Sequence, residues 1–351
     1  MKTALTLTLL SSLGACAIAQ AAERVTEQRP VTTFSAVELN GPYDIAVHAH
    51  GNPGVQVEGD PAEVARIETV IRGDTLVVRT AARGTWFSFG WQQPPVLITI
   101  TAAGLTRIEA NGSGNVDVDQ VQGDRLDIAN KGPGQLHASG AVRTLTVRAS
   151  GSGDTDLRGL RSTGLDLTMS GPGDMHLGAV GASLSATVSG SGDLQAGKLA
   201  LASATWVHSG PGTVSMDGLA RDLRVKLSGS GDLKACGLAV DTLNLDQRGP
   251  GSACIGGAIK DFTATIQGSG DLTASTLQAG HARLLMSGPG SARLGGSVQQ
   301  FDAVVRGSGS LEGKSLLVAR ADIKASGPGD AQLVLDNTLT TFDRQGQHPA
   351  R

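Results

Sequence analysis

The sequence contains two kinds of Gly triplet that alternate at a fixed spacing. Gly-Ser-Gly begins at residues 112, 151, 190, 229, 268 and 307, and Gly-Pro-Gly begins at residues 132, 171, 210, 249, 288 and 327. Each series has a period of 39 residues, and the two interleave at offsets of 20 and 19 residues. The chain therefore repeats a unit of 19 or 20 residues 12 times between about residues 110 and 335. Self-similarity at such a period is typical of solenoids, whose units contact only their neighbours.

Apolar residues alternate with polar ones after each triplet. The second residue past the triplet is apolar in most units, as at Val116 and Leu194, and so is the fourth, as at Val118 and Leu157. Such alternation predicts a half-buried strand. A further apolar column and a second alternating stretch, such as LDLTM at 165–169, complete each unit. Two short strands cannot form a core alone, so we expect successive units to stack and bury their apolar columns together.

The sequence thus predicts an all-β fold, a parallel β-solenoid of about 12 coils in a 39-residue double repeat. Stacked strands lie about 4.8 Å apart, so such a solenoid would be about 58 Å tall. The apolar positions do not follow a six-residue rhythm, which argues against a left-handed hexapeptide helix. Since parallel crossovers are overwhelmingly right-handed, we expect a right-handed β-helix.

In this fold the Gly triplets form the same corner in successive coils. Glycine adopts backbone angles that other residues resist, and it lets neighbouring coils approach closely. Proline has no N–H to donate, so this corner must lie where pairing between coils is interrupted. The alternation of Ser and Pro makes the true period two coils. The triplets are therefore predicted to be scaffolding rather than phosphate-binding loops.

Residues 1–21 are predicted to be a secretory signal peptide. Lys2 precedes an apolar stretch, and Ala19-Gln20-Ala21 offers a small-residue cleavage site. The stretch Leu13-Gly14-Ala15-Cys16 also resembles a bacterial lipobox, in which Cys16 would be lipidated. Both processing routes stay open, and no other segment is predicted to cross a membrane. We expect an exported protein of the bacterial periplasm, outer membrane or cell surface.

The regions on either side of the 110–335 array differ from it. Residues 31–109 contain no Gly triplet but are strand-like, and we expect them to lead into the solenoid and cap its first coil. Within them, residues 60–71 could form a helical turn. Residues 336–351 are polar and are expected to fray or to cap the last coil. The net charge of −3 gives no basic face, which argues against a nucleic-acid partner.

The N-terminal region carries a family resemblance. The stretches FSAVELNGPYDIAVHAHGNPGVQVEGD (34–60) and GDTLVVRT (73–80), followed by strand repeats punctuated by GSGD, resemble the putative autotransporter adhesin "head GIN" domain family. The resemblance covers roughly residues 31–335. It implies an exported β-helical protein, with adhesion proposed from the fold. It defines no catalytic or ligand residues.

Two outward columns of the array could hold metal ions. The residue after each triplet is often Asp, as at Asp154, Asp174 and Asp193, and stacked carboxylates could attract Ca²⁺. We favour the alternative that each Asp caps its own turn by accepting a backbone N–H. The next outward column alternates acid and imidazole, which suits a transition metal but more often reflects charge pairing between strands. Its members are Asp117, His137, Asp156 and His176. No cofactor is expected.

Cys236 and Cys254 lie in adjacent coils of a chain predicted to be exported, where a disulfide could form. Their columns differ by two positions, which would stretch the Cα separation toward the limit of about 7 Å. Bonded and free thiols both stay open.

The segment GTWFSFGWQQPP (84–95) concentrates the aromatic residues Trp86, Phe87, Phe89 and Trp91 between Gly and Pro. Exposed aromatics often mark a contact surface, so these four form a possible contact loop. Alternatively, they fold back and plug the open end of the solenoid. Trp206, in contrast, falls on an inward column beside Ala186 and Val225 and is predicted to be core.

The sequence predicts a non-enzymatic, exported β-helical scaffold for adhesion or envelope interactions, with an unknown envelope, glycan or protein partner. The alternative is a carbohydrate-binding module or a polysaccharide-active enzyme built on a β-helix. Such enzymes need convergent carboxylates in a groove, usually built by long inserted loops. The array contains no long insertion and no Ser/His/Asp, Walker-type or zinc motif.

Overall fold

A computed structural model of the chain describes residues 24–81 and 96–349. The chain forms a β-solenoid of about 11 turns with parallel stacked coils. The predicted fold class is confirmed, and the 12 Gly triplets are corners that bound 11 complete turns.

Twenty-four strands and one short helix make up the described residues. The N-terminal elements are β1 (Val25–Arg29), β2 (Ala36–Leu39), β3 (Asp44–His48), β4 (Gly54–Gly59), α1 (Pro61–Val64), β5 (Ile67–Arg72), β6 (Thr75–Thr80), β7 (Leu97–Thr101) and β8 (Arg107–Ala110). The array contains β9 (Val116–Asn130), β10 (Leu136–Ala149), β11 (Thr155–Met169), β12 (Met175–Leu177), β13 (Val180–Val188), β14 (Leu194–His208), β15 (Val214–Leu227), β16 (Leu233–Gln247), β17 (Ala253–Gly256), β18 (Ile259–Ile266), β19 (Leu272–Met286), β20 (Ala292–Arg306), β21 (Leu311–Ser326) and β22 (Ala331–Leu335). Two further strands, β23 (Thr338–Asp343) and β24 (Gly346–Pro349), follow.

Most coils of the array are one long strand that bends twice, and two coils are split into a pair of strands, β12 with β13 and β17 with β18. In β10 the buried residues Leu136 and Ala138 alternate with exposed ones, as do Leu145 and Val147. Between these stretches only Val142 faces inward, with polar or exposed residues on both sides of it. Because the runs of non-buried residues at 139–141 and 143–144 break the alternation of a flat strand, each run marks a bend. Each coil therefore has three faces around a common core.

We name the faces in chain order from the Gly triplet. In β10 the first face is residues 136–138, the second 140–142 and the third 144–149. Coils pair in parallel and in register on each face. Leu136 pairs with Val116 of one neighbouring coil and Thr155 of the other.

The glycine corner depends on close approach between coils. A Cβ atom on Gly132 would lie 2.0 Å from the carbonyl oxygen of Gly112, and one on Gly134 would lie 2.0 Å from that of Gly114. Neither Gly132 nor Gly134 has a positive φ. Among the triplet glycines only Gly307 and Gly327 have a positive φ, so at the other triplets the close approach is the predicted role that operates.

Hydrogen bonds at the corners come from the glycines, except that Ser113 N of the first triplet also donates to Gly41 O at 3.1 Å. Gly151 N donates to Asn130 O and Gly153 N donates to Gly132 O, both at 3.2 Å. The middle residue can therefore be Pro without loss of a bond at this corner, which accords with the predicted interruption of pairing.

The double-coil period extends into the core, at the inward position two residues before each triplet. Before Gly-Pro-Gly the residues are Asn130, Met169, His208, Gln247, Met286 and Ala325; before Gly-Ser-Gly they are Ala110, Ala149, Val188, Leu227, Ile266 and Val305. The former set contains all the polar members of the column, and these are buried. Elsewhere the only buried polar residues among those described are Thr155, Ser162 and Thr340. Trp206 is fully buried between Ala186 and Val225, which confirms its predicted placement.

Both ends of the solenoid contain antiparallel strands. At the N-terminal end β2 and β3 pair in parallel with β8 and β9, while β4 and β5 pair antiparallel with β7 and β6. The possible helical turn at residues 60–71 is limited to α1, and β5 occupies the rest. At the C-terminal end β22, β23 and β24 form an antiparallel meander. The segment that the sequence suggested as a polar tail thus contains two strands and the buried Phe342.

Candidate functional site

Several of the residues singled out by sequence lie outside the described residues. These are Cys16 in the N-terminal segment and Trp86, Phe87, Phe89 and Trp91 in the aromatic segment.

The structure joins Cys236 and Cys254 in a disulfide with a Cα–Cα distance of 5.2 Å. Cys254 pairs in register with Lys234, two residues before Cys236. A shift in register between Ala235 and Ala239, at the bend after the first face, allows the cysteines to meet despite this offset. The Cα–Cα distance is therefore well below the limit of about 7 Å toward which the sequence offset pointed.

The Asp column caps backbone groups, but in a different coil from the one predicted. Asp154 Oδ1 accepts the backbone N–H of Asp174 at 2.9 Å, and Asp174 Oδ1 accepts that of Asp193 at 2.8 Å. Asn115 accepts the N–H of Gln135 in the same way, at 3.3 Å. The prediction that each Asp caps its own turn is therefore wrong, because each side chain caps the following coil. The column thus links the corners of consecutive coils by hydrogen bonds.

The second column is a charge ladder on the first face. His137 pairs in register with Asp117 and Asp156, and Asp156 pairs with His176. The His137 Nδ1 atom lies 3.8 Å from Asp156 Oδ2. Arg158 Nε donates to both carboxylate oxygens of Asp156, at 3.0 and 3.1 Å. These hydrogen bonds from Arg158 outweigh partial burial and lower the pKa of Asp156 to about 2.

Residues 24–81 and 96–349 contain no group of three or more His, Cys, Asp or Glu side chains that could hold a metal ion. His48 in β3 pairs with Asp119 instead, with 2.9 Å between Nδ1 and Oδ2, and its ring lies 5.9 Å from that of His50. The His48 imidazole thus contacts a carboxylate of a neighbouring coil.

Two adjoining cavities cover this part of the first face. One has a volume of about 380 Å³ and is lined by Asn115, Val116, Asp117, Gln135, Leu136, His137, Asp154, Asp156, Arg158 and His176. The other has a volume of about 270 Å³ and is lined by Arg158, His176, Leu177, Gly178, Gln195, Ala196, Gly197, Lys198, Ser215 and Asp217. Since Arg158 and His176 line both, the cavities form one continuous depression, which we call the first-face groove.

The groove follows the solenoid axis. From Asn115 to Asp217 it crosses six successive coils. At the spacing of stacked strands this is a length of about 24 Å. Such a length suits an extended ligand rather than a compact one.

The second cavity exists because the coil is interrupted there. The strand ends at Leu177, and a Cβ on Gly178 would lie 2.1 Å from the carbonyl oxygen of Leu160. Gly197 likewise adds no side chain to the floor. Lys198 then takes a φ of 59°, which is uncommon for a residue with a side chain. The missing side chains leave space on a face that is otherwise flat.

The groove offers hydrogen-bond donors and acceptors in balance. Arg158 and Lys198 carry donors, Asp217 carries acceptors, and Gln195 carries both. His176 Nδ1 is buried and has no hydrogen-bond partner among the described residues. Four carboxylates and the two cations Arg158 and Lys198 line the groove, so both signs of charge are present.

The sequence identified the ladder of acids and imidazoles but missed Arg158, Lys198 and Asp217. These residues lie just past the first face, where register shifts between coils decide which side chains meet. Gly178 and Gly197 were a signal of the groove in the sequence, because they fall at outward positions where most other coils carry a side chain.

A larger depression of about 520 Å³ lies near the C-terminal end. It combines the amides of Gln278, Gln299 and Asn337 with the side chain of Leu317, which is 52% exposed. It is shorter along the axis than the first-face groove and contains no basic side chain.

Comparison with known proteins gives one family. The family model described as "Putative auto-transporter adhesin, head GIN domain" matches residues 33–217 and 256–341. None of the curated proteins compared with the chain matches it. In the described residues no helix is both long and apolar enough to span a membrane.

Solved structures resemble the chain at low identity. A putative adhesin from Bacteroides fragilis is 18% identical over 88% of this chain and 96% of its own, with a TM-score of 0.26. A putative adhesin from Parabacteroides distasonis is 15% identical over 86% and 98%, with a TM-score of 0.35. A putative lipid binding protein from the same organism is 14% identical over 88% and 95%, with a TM-score of 0.36.

Proposed function

Because the chain belongs to the putative auto-transporter adhesin, head GIN domain family, we propose that it is an exported, non-enzymatic adhesin whose first-face groove binds an elongated carbohydrate. The observation that carries this proposal is the continuity of the two cavities through Arg158 and His176. A polysaccharide is long, narrow and rich in hydroxyl groups. Each hydroxyl both donates and accepts hydrogen bonds, which matches the mixed lining of this groove.

The groove suits binding better than hydrolysis. A glycoside hydrolase needs a carboxylic acid whose raised pKa keeps it protonated beside the scissile bond. Asp156, at the centre of the groove, is ionised instead, because Arg158 lowers its pKa to about 2. A permanently ionised carboxylate can accept hydrogen bonds from hydroxyl groups but cannot act as the general acid.

Export and the mode of attachment belong to the same proposal. Residues 1–21 would direct the chain out of the cytoplasm, to the periplasm or the cell surface. Cleavage after Ala21 would release a soluble protein, whereas lipidation of Cys16 would anchor it. Mass measurement of the mature N-terminal peptide distinguishes the two routes.

The aromatic segment with Trp86, Phe87, Phe89 and Trp91 would supply a second contact. Trp and Phe bury large areas, and Trp can stack on a sugar ring, so these side chains would add affinity to a polar groove. Replacing Trp86 and Trp91 with Ala separates this role from a plug. A contact loop loses binding and keeps its stability, whereas a plug loses stability.

The test of the groove uses the purified mature chain on an array of bacterial polysaccharides, with phosphatidylethanolamine–phosphatidylglycerol vesicles as a separate lipid probe. Arg158→Ala and Lys198→Ala should each weaken polysaccharide binding about tenfold, as expected when a hydrogen bond to a charged group is lost. The polysaccharide should keep its length, as a reducing-end assay would record.

Arg125→Ala is the matched control. Arg125 forms the same contact with Asp127, two residues away, but on the third face. It should bind like the parent chain. Equal losses in the Arg125 and Arg158 variants, binding to vesicles alone, or shortening of the polysaccharide would each contradict the proposal.

A further inference from the structure

Two consecutive coils of the first-face groove lack a side chain at the same position. In four successive coils the fifth residue after the Gly triplet is Arg158, Gly178, Gly197 and Asp217. The pairing of the coils places these four residues in one outward column. Nowhere else in the array do two adjacent coils both have Gly at this position. The two glycines therefore open a gap in the column, with Arg158 on one side and Asp217 on the other.

Lys198 lies beside this gap in an unfavourable backbone conformation. It is the sixth residue after its triplet and has a φ of 59°. At the same position two other coils have Gly140 and Gly218, with φ of 139° and 127°. A residue with a side chain is disfavoured in the left-handed region, and residues held there cluster at functional sites. The bend tolerates glycine, so the Lys side chain points to a role other than folding.

Three hydrogen-bond donors that line the second cavity have no partner. Lys198 forms no ion pair or side-chain hydrogen bond with any other described residue. Asp156 engages only the Nε and Nη2 atoms of Arg158, which leaves Nη1 without a partner in the same part of the chain. His176 Nδ1 is buried and is likewise unpaired there. All three side chains can therefore donate to a ligand in the gap.

The carboxylate that lines the second cavity is directed away from the gap. A Cβ atom on Gly237 would lie 2.0 Å from Asp217 Oδ1, and Gly237 is the partner of Asp217 in the following coil. The Asp217 side chain thus lies over the following coil, whereas the gap lies over the two preceding ones. It neither fills the gap nor pairs with Lys198.

The other three carboxylates of the groove line the first cavity. Asp156 is paired with Arg158, and Asp154 Oδ1 accepts a backbone N–H from the following coil. Asp117 lies four coils from Lys198, which is about 19 Å along the axis. This separation exceeds the Debye length of about 8 Å at physiological ionic strength. Lys198 is therefore the nearest uncompensated charge that faces the gap.

We infer that the gap binds the carboxylate of a uronic acid, so that the polysaccharide of the first-face groove is an acidic one. The inference rests on the proposed function and names its ligand class. Lys198 would supply a positive charge, the free Nη1 edge of Arg158 would donate to the planar carboxylate, and His176 Nδ1 would be a third donor. Lys198 and Arg158 lie two coils apart, about 10 Å, so their long side chains can reach one group between them.

The test compares acidic polysaccharides with neutral copies of themselves. Alginate, polygalacturonate and hyaluronan are each used intact and after chemical reduction of their carboxylates to hydroxyl groups, which removes the charge and keeps the chain. Isothermal titration calorimetry on the full mature chain measures binding. At least one intact polymer should bind about tenfold more tightly than its reduced form, and added salt should narrow this difference.

A substitution of Lys198 separates charge from folding. Lys198→Gly should weaken binding of the intact polymer about tenfold, while its melting temperature should stay the same or rise, because Gly suits a φ of 59°. Lys198→Arg keeps the charge and should keep the binding. Gln120→Gly is the matched control, since Gln120 has a φ of 57° at the equivalent bend and does not line the groove. It should bind like the parent chain.

Filling the gap tests its position. No atom lies within 4 Å of a Cβ added to Gly197, so Gly197→Gln should fold, and it should weaken binding about tenfold or more because its side chain occupies the gap. Gly123 is equally open and lies outside the groove, so Gly123→Gln should bind like the parent chain. Circular dichroism melting of each variant verifies folding.

Equal affinity for intact and reduced polymers would overturn this inference and leave the proposed function in place. The same holds if Lys198→Gly or Gly197→Gln binds the intact polymer like the parent chain, or if Gln120→Gly loses as much binding as Lys198→Gly. Binding to none of the polymers in either form would overturn the inference and would also contradict carbohydrate binding by the groove.

Discussion

His208 and Gln247 occupy the same inward column two coils apart, and both side chains bond the last glycine of the Gly-Pro-Gly triplet that follows them. His208 Nε2 lies 2.9 Å from Gly212 O, and Gln247 Nε2 donates to Gly251 O. Both side chains are fully buried. The same structural task is thus performed by a side chain that titrates and by one that does not.

This pair predicts a pH dependence of stability. Burial lowers the pKa of His208 from its usual 6.5, against smaller opposing effects from the carbonyl groups of Gly212 and Val188 and from Asp232. The unfolded chain therefore binds the proton more readily than the folded one. Stability that is present above about pH 6.5 is lost as the pH falls through the lowered pKa of the folded state.

His208→Gln, which copies Gln247, should remove this part of the acid sensitivity while keeping the hydrogen bond. Urea denaturation midpoints of both chains at pH 8 and pH 5 measure it. The parent should lose more stability than the variant on acidification, and an equal loss would contradict the assignment.

The inter-coil caps predict a second effect. Asp154→Ala leaves the N–H of Asp174 without its acceptor and should lower the free energy of unfolding by about 1 kcal/mol. Asp154→Asn keeps an acceptor oxygen, as Asn115 does for Gln135, and should cost less. Chemical denaturation of the three chains tests the order, and an Asn variant as unstable as the Ala variant would argue against capping.

The glycine corner predicts a third effect on stability. A Cβ on Gly151 would lie 2.0 Å from the carbonyl oxygen of Gly132, so Gly151→Ala forces two coils apart. We expect a loss of about 2 kcal/mol or more. Gly280 has no atom within 4 Å of its added Cβ, and Gly280→Ala should change stability little or raise it. Thermal melting of both variants makes the comparison, which fails if the two behave alike.

The disulfide predicts a fourth effect on stability. Cys236 and Cys254 close a loop with a sequence separation of 18, for which a stabilisation of about 3 kcal/mol is expected. Cys236→Ala/Cys254→Ala and reduced parent protein should therefore show the same lowered denaturation midpoint. Peptide mapping without reductant should recover the linked pair. A midpoint indifferent to reductant would show that the bond does not stabilise the native fold.

The sequence by itself determined the architecture, because its information is periodic and local. The 39-residue period, the alternation of apolar residues and the Gly triplets specified stacked parallel coils and a shared corner. They also placed Trp206 inside the core and aligned His137 with Asp117 and Asp156. A side chain that repeats its position in every coil must meet its equivalents in the next, so these contacts needed no coordinates.

The tertiary structure alone decided what departs from the period. The backbone N–H that Asp154 caps belongs to the following coil. Which neighbouring coil a strand bonds decides the direction in which its free N–H groups point. Cys236 reaches Cys254 through a bend that shifts the register, and a similar shift brings Arg158 and Lys198 to the groove. Interruptions of a repeat are set by packing between coils, and packing is a property of the assembled fold rather than of any one unit.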